Sequence, residues 1–491
     1  MGIIRVFHSH IEVYPYTKGQ CPIIESMSSK YEHVTHKRIP MGMYIQNDIL
    51  YLPRGFTLSL LEKALHYEVE TVTDCDPYAR IKKGVGKFKP KSKIQENAIN
   101  FLCGNDIYSY TSQYSQLGLN LDTGDGKTYS AIYSILKYKI KAMVITHQEK
   151  LKQQWYKSFA EMTTFPIENI CNISGTEVID QLLKGEITAE IYLVNHQTLA
   201  TYAKVYGWTR IRDLFKKLKI GIKVIDESHK FFENTFLIDC FSNCYKTFYL
   251  TATYGRTDPA EIRIYKRAFS SLVRFGEETV NYTEKRKHIH FIPCFFKSEP
   301  WYSVVPDVRT TYGFSAYKYI RYELDKSLNP SQNLVKVLCK ILDEIKNMEG
   351  KILIISPMKE SVDMIADIVR NYIQDKPEYA GKEVGCVYSN NSNKVNKENL
   401  QKDIISSTIK SVGEGVDIKG LRVLIDLEPV GSKTLADQVR GRLREYSEDK
   451  DTYFFYPVDT TINESEAMLK RIMPIMKKKC KDIRMITMNA I

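Results

Sequence analysis

A chain of 491 residues is too long for one ordinary domain, and a hydrophobic content of 43% supplies the cores of two or three. The net charge of +12 favours a polyanionic partner such as nucleic acid, while no segment reaches the length of a membrane span. The 10 cysteines are scattered: the closest pair, Cys240 and Cys244, has no second pair nearby and no Cys-x-x-Cys occurs, which argues against a structural zinc and fits reduced core thiols in a cytosolic compartment.

Residues 1–85 are of mixed character, include "ILYLPRGF" at 49–56, and read as a small N-terminal accessory domain. The run "RIKKGVGKFKPKSK" at 80–93 has no acid and reads as a linker, either touching phosphates or simply solvated. Short β-branched runs then recur at 142–146, 191–195, 223–227 and 247–252, and a second set at 351–356, 383–389, 422–427 and 452–457. Continuous apolar strands alternating with amphipathic helices predict parallel sheets covered on both faces. The chain therefore reads as α/β, with tandem domains over 86–285 and 286–460 and a basic C-terminal tail over 461–491. In the second, Leu334, Val337, Leu338, Ile341 and Ile345 form the stripe of a half-buried helix, with Pro330 and Ser331 marking its start.

Two motifs carry chemistry. In "GLNLDTGDGKTYSAIYSIL" (118–136), Thr123, Gly124, Asp125 and Gly126 precede Lys127, Thr128 and a helix pattern. A phosphate chain needs backbone N–H groups that approach closely, a helix N-terminus, a lysine, and a hydroxyl for Mg2+. The strict pattern asks for glycine where this chain has Leu121. In "KVIDESHKF" (223–231), an apolar strand delivers Asp226 and Glu227 to its C-terminal end, the edge where ligands sit in open parallel sheets. One carboxylate can hold Mg2+ and its neighbour can accept a proton from an attacking water.

Together with "YLTATYGRTD" (249–258), these motifs resemble those of the superfamily 2 DExH-box helicases. Further stretches follow in the family's order: "KSKIQENAI" (91–99), "VITHQEKLKQQW" (144–155), "VNHQTLA" (194–200), "SSTIKSVGEGVDIKGL" (406–421) and "DQVRGRLREY" (437–446). Within the superfamily, D-E-S-H and "YLPRGF" resemble the XPB-like and UvsW-like phage helicases and the poxvirus transcript-release helicase.

The resemblance implies two tandem RecA-like P-loop domains with ATP and Mg2+ as cofactors. Carried over by motif, Gln95 reads adenine, and Lys127 and Thr128 hold phosphate and Mg2+. Asp226 holds Mg2+, and Glu227 is the base. His229 couples the site to Thr251 and Thr253. Gly415, Asp417 and Gln438 complete the site from the second domain, with Arg442 as the arginine finger and Arg444 as its alternative. The family pattern puts a second arginine at the position of Glu445, so a helix ending near Gly441 is expected. Tyr254 replaces the usual proline of the third motif. The implied partner is DNA, single-stranded, duplex or branched. RNA is a possible partner, and the alternative roles are a translocase for transcript release or RNA remodelling, or the motor subunit of a restriction complex. The implied setting is the cytoplasm of a bacterial or virus-infected cell, with a monomer as the expected state. The aromatic and basic stretch at 301–324 reads as domain packing, with base stacking as the alternative.

Overall fold

The computed structural model describes residues 2–32, 36–82, 84–122, 124–251, 259–276, 287–298, 308–310, 313–412, 416, 418–428, 432–444, 446 and 450–488. It divides into two units, Met1–Tyr282 and Thr283–Ile491.

In the first unit, seven parallel strands lie in the order Ile170–Ile173, Ile191–Asn195, Ala142–Thr146, Ile222–Asp226, Lys246–Thr251, Gln116–Asn120 and Val273–Phe275. Val144, Leu193 and Val224 face one core, and Ile145, Val194 and Ile225 face the other. Both faces are covered, so the strands read as unbroken apolar runs rather than alternating ones. The phosphate loop leaves one strand of this sheet and the Asp-Glu pair leaves another, with Lys246–Thr251 between them.

The N-terminal residues form a five-stranded sheet in the order Tyr44–Gln46, Ile49–Pro53, His10–Tyr14, Ile3–Val6 and Glu68–Thr71. Its own core includes Ile4, Val6, Ile11, Val13, Leu50 and Leu52. Polar clasps fix this sheet, through Glu12, and the neighbouring N-terminal helix and hairpin to the rest of the unit. Arg212 donates to Glu12 at 3.1 Å, Lys30 pairs with Glu261 at 2.6 Å, and Arg267 donates to the Met27 carbonyl at 2.6 Å. The basic run at 80–93, expected as a linker, is paired through its backbone with the rest of the unit. Ile81 N–H donates to Lys139 O at 3.0 Å, Lys87 N–H donates to Met162 O at 2.8 Å, and Gly86 bridges to Thr163. Backbone pairing and the buried Ile81 lay the run along the larger sheet's unit.

One clasp responds to pH. Glu233, on the helix Phe232–Cys240, accepts the Gly42 N–H at 2.8 Å. Burial pushes its carboxyl up from the ordinary 4.5 to about 7, against the lowering effects of that hydrogen bond and of Lys30. The folded state thus keeps a proton that the unfolded chain releases. This contribution to stability is complete below about pH 4.5 and is lost as pH rises through about 7. Glu233→Gln, which keeps the acceptor without the charge, is expected to be more stable than wild type at pH 8 by on the order of 1–3 kcal/mol and equal to it below pH 5, as read by thermal melting.

In the second unit, parallel strands lie in the order Val384–Val387, Ile404–Thr408, Lys351–Ser356, Leu421–Asp426, Thr452–Asp459, Ile289–Phe296 and Asp482–Ile483. Ile486–Thr487 also pairs with Ile289–Phe296. The helix Asn333–Ile345 buries all five residues of the predicted stripe. It starts two residues beyond Ser331, with Gln332 as its N-cap.

Of the residues at 461–491, expected as a basic tail, those described, 461–488, pack into this unit. The helix Asn463–Lys479 buries Leu469, Ile472 and Met476 and leaves Lys477 and Lys478 exposed. The strand after it is held by His290, whose Nδ1 lies 2.7 Å from Asp482 and whose Nε2 lies 2.9 Å from Asp451. Charge on one face of that helix masked the apolar face in a composition-based reading. Of the aromatic stretch, Tyr319 and Tyr322 are buried on the helix Ala316–Leu324 and Tyr317 is exposed, whereas Trp301, Tyr302 and Tyr312 lie outside the described residues.

Candidate functional site

The loop between the strand Gln116–Asn120 and the helix Lys127–Tyr138 is shaped by two left-handed glycines, Gly124 at φ 95 and Gly126 at φ 91. Gly126 takes a backbone that L side chains rarely adopt, and a Cβ there would also stand 2.4 Å from Gln95 Nε2. Gln95 is itself held. Its Oε1 accepts the Lys91 N–H at 2.9 Å, and Ser92 caps its helix by accepting the Gln95 N–H at 3.3 Å. Lys127 Nζ donates to the carbonyls of Leu121 at 2.8 Å and Asp122 at 3.3 Å, which uses two of its three donors. Leu121 packs in one core with Leu117 and Leu119, which accounts for an apolar residue where the strict pattern has glycine.

The Asp-Glu pair sits at the same strand edge. Asp226 Oδ2 accepts the indole N–H of Trp155 at 2.8 Å, and its Oδ1 accepts the Glu227 N–H at 3.0 Å. Glu227 takes a left-handed backbone, φ 51, and its carbonyl accepts the Lys230 N–H at 2.8 Å. His229 Nδ1 lies 2.9 Å from Thr251 Oγ1 and 3.2 Å from Glu227 Oε2. The Thr251 carbonyl in turn accepts the Leu121 N–H at 3.2 Å. His229 and Thr251 therefore link by hydrogen bonds to the start of the phosphate loop, while Glu227 Oε2 stands 3.2 Å from His229 and is buried without a hydrogen-bond partner among the described residues.

Burial, and then the charge of Glu227, push the Asp226 carboxyl up to about 6. Two adjacent carboxylates in this state fit a divalent cation, whose charge would favour their ionised forms. Among the described residues no group of three or more His, Cys, Asp or Glu forms a metal cage. Mg2+ suits such a place, because it is usually held by one or two carboxylates together with substrate phosphates. Thr128 and Asp226 would hold it, and it would neutralise phosphate charge.

In the second unit, the helix Lys433–Arg440 carries Gln438 and ends with Gly441 at its C-cap. Arg442 N–H donates to Val439 O and Leu443 N–H to Arg440 O, both at 3.0 Å, so the backbone tightens and leaves the helical path. Arg440 is buried and bonded to Asp437 at 2.9 Å, and Asp437 also binds Lys479 at 2.7 Å. Arg442 donates to the Val416 carbonyl at 2.8 Å, and Arg444 is exposed.

Residues 88–256 match the model of the type III restriction enzyme res subunit, and residues 333–445 match that of the helicase conserved C-terminal domain. The chain belongs to the superfamily 2 helicases. Transcript termination protein A18 of Yaba monkey tumor virus (strain VR587) is 22% identical over 72% of this chain and 69% of its own length. The S. cerevisiae Dbp5 structure bound to RNA and ADP BeF3 superposes with a TM-score of 0.53 at 15% identity, over 82% of this chain and 91% of that one. The fragment structure of a putative HsdR subunit of a type I restriction enzyme from Vibrio vulnificus YJ016 gives 0.55 at 14% identity, over 94% and 78%. At these identities the structures show the fold, which is that of two RecA-like domains.

As a superfamily 2 helicase, the chain is an ATP-dependent nucleic-acid helicase and ATPase. Its first unit brings Gln95, Gly124, Asp125, Gly126, Lys127, Thr128, Asp226, Glu227, His229 and Thr251 to one end of one sheet or the loops beside it. Thr123, Thr253, Tyr254, Gly415, Asp417 and Glu445 lie outside the described residues. No helix among the described residues of this helicase is long and apolar enough to cross a membrane.

One residue escaped the motif reading. Trp155 closes the segment that resembles a backbone-tracking motif, yet it is buried and its indole donates to Asp226. Its signal was faint: one aromatic on an amphipathic helix is ordinarily a core residue. Trp155→Phe removes that donor and, with it, part of a buried ring in the core. A hydrogen bond to a charged group contributes about 1.5–3 kcal/mol. The variant is therefore expected to lose roughly ten- to a hundredfold in ATPase kcat, with nucleic-acid affinity unchanged in a binding titration.

Proposed function

We propose that this helicase is an ATP-driven DNA translocase acting on duplex, forked or branched DNA, coupling hydrolysis to strand separation or branch migration. The observation that supports the motor chemistry is the placement of Glu227 Oε2 3.2 Å from His229, which is itself hydrogen-bonded to Thr251, whose carbonyl accepts the Leu121 N–H. In this reading Gln95 binds adenine, and Gly124, Gly126 and Lys127 bind phosphates. Thr128 and Asp226 hold Mg2+, and Glu227 takes a proton from the attacking water. Gly415, Asp417, Gln438 and Arg442, with Arg444 as the alternative finger, act from the second unit. The N-terminal accessory region, clasped through Arg212, Lys30 and Arg267, would carry gripped duplex with the motor.

A second reading, transcript release, is favoured by the similarity to the poxvirus termination protein. ATPase stimulation compared across single strand, duplex, fork, four-way junction and RNA separates the two. Strongest stimulation by forks or junctions supports the first reading. Strongest stimulation by RNA, with displacement of a transcript from a stalled polymerase, overturns it in favour of the second.

A further inference from the structure

The stretch "ILYLPRGF" (49–56) takes no part in the nucleotide chemistry above, yet it is tightly built. Pro53 ends the strand Ile49–Pro53. A Cβ on Gly55 would meet the Arg267 carbonyl at 2.5 Å, its N–H donates to Ala268 O at 3.3 Å, and its carbonyl accepts the Ser270 hydroxyl at 2.7 Å. Phe56 is buried in the accessory core, with the Arg267 guanidinium 5.7 Å from its ring centre. Arg54 is thus held between two fixed neighbours.

Arg54 lines a cavity of about 410 Å³ between the accessory sheet and the larger sheet. The cavity lies at the opposite end of the larger sheet from the phosphate loop. Gln116 and Lys246, which line it, open the strands whose far ends are Asn120 and Thr251. No acidic side chain lines it among the described residues. Arg54 has no hydrogen-bond or ion-pair partner among them, and burial alone lowers its basicity. Asp239, beyond it in a smaller adjoining space, is already paired with Lys223 at 2.5 Å and with the Tyr249 hydroxyl at 2.8 Å. Lys246 Nζ donates to the Ser112 and Tyr114 carbonyls and keeps a third donor. His8 adds a buried Nδ1 with no partner in the described structure.

A partly desolvated guanidinium without a counter-charge is unfavourable unless an anion joins it. We infer that this cavity is an oxyanion site that takes a phosphoryl group, with Arg54 as its planar fork and Lys246 as its second cation. A guanidinium fork matches phosphate oxygens in pairs, and two cations with surrounding donors suit a group with three acceptor oxygens better than a carboxylate. The volume is that of a small-ligand pocket, so the phosphoryl group comes either from a small phosphorylated molecule or from a nucleic-acid backbone. The site stands apart from the ATP loop and does not rest on the DNA reading above.

The test uses the full chain saturated with a non-hydrolysable ATP analogue, so that the loop is filled. Inorganic pyrophosphate and, separately, duplex DNA are titrated calorimetrically. Pyrophosphate binding is expected to weaken by about tenfold or more in Arg54→Gln and in Ser271→Glu, and to persist in Lys127→Ala. Ser271 is an exposed rim residue outside the Arg54 clamp, so its loss of binding is not a folding defect. If pyrophosphate does not bind but both variants weaken duplex binding and flatten its salt dependence, the phosphate is a backbone one. If neither ligand distinguishes the variants from wild type, or pyrophosphate binding is lost only in Lys127→Ala, the inference is overturned.

Discussion

Glu227→Gln is expected to lower kcat of nucleic-acid-stimulated ATP hydrolysis by ~10²–10⁴ while leaving nucleotide affinity nearly unchanged. The turn that presents this side chain does not depend on its charge. It is set by the Lys230 N–H on the Glu227 carbonyl and by the Glu227 N–H on Asp226. Glutamine has the same shape and keeps an oxygen toward His229, so what is lost is the capacity to take a proton. Removing the charge also removes one of the two effects that raise Asp226. Nucleotide affinity should therefore hold or improve. Single-turnover hydrolysis beside a nucleotide-binding titration checks both halves. A variant that hydrolyses ATP at the wild-type rate would falsify the assignment of Glu227 as base.

Arg442→Ala is expected to reduce the same rate by ~10³ or more, the scale of an arginine finger in related nucleotide hydrolases. Arg444→Ala should cost less. The assignment rests on motif order and on the local backbone. The helix ends at Arg440, and the next two residues turn away from its path, so spacing counted along a continuous helix does not apply beyond Gly441. Arg440→Ala has a different expected signature: its buried bond to Asp437, shared with Lys479, makes it a stability residue. A larger loss in Arg444→Ala than in Arg442→Ala would transfer the role. Full activity in both would remove the finger from this segment.

The motor's central strands were legible because their signal is local. "AMVIT", "IYLVN" and "KILIIS" are continuous apolar runs, and each matches an observed strand at both ends. The strands Gln116–Asn120 and Ile170–Ile173 carried no such run, since glycine or polar residues interrupt them. The strand Ile404–Thr408 is also half polar, yet it is paired on both sides, and its buried Ser406 and Ser407 hydroxyls are satisfied by the Val362 and Val387 carbonyls. The phosphate loop and the Asp-Glu box could be read because their chemistry requires fixed residue types at fixed spacing. Trp155 and Arg54 could not, because each acquires its role from a partner or a cavity distant in sequence.

The edge of the second sheet has a consequence for how the chain is made. Ile289–Phe296, the first strand of that unit, pairs on one side with Thr452–Asp459 and on the other with residues at 482–487. It therefore emerges roughly 160 residues before its first partner, an interval on the order of ten to thirty seconds at ribosomal speed. Through that time "IHFIPCFF" is an apolar ribbon with both edges open, the kind of segment that recruits other chains. Low synthesis temperature or a holdase chaperone should raise the soluble yield, and the strands Asp482–Ile483 and Ile486–Thr487 serve as the cover that closes this edge.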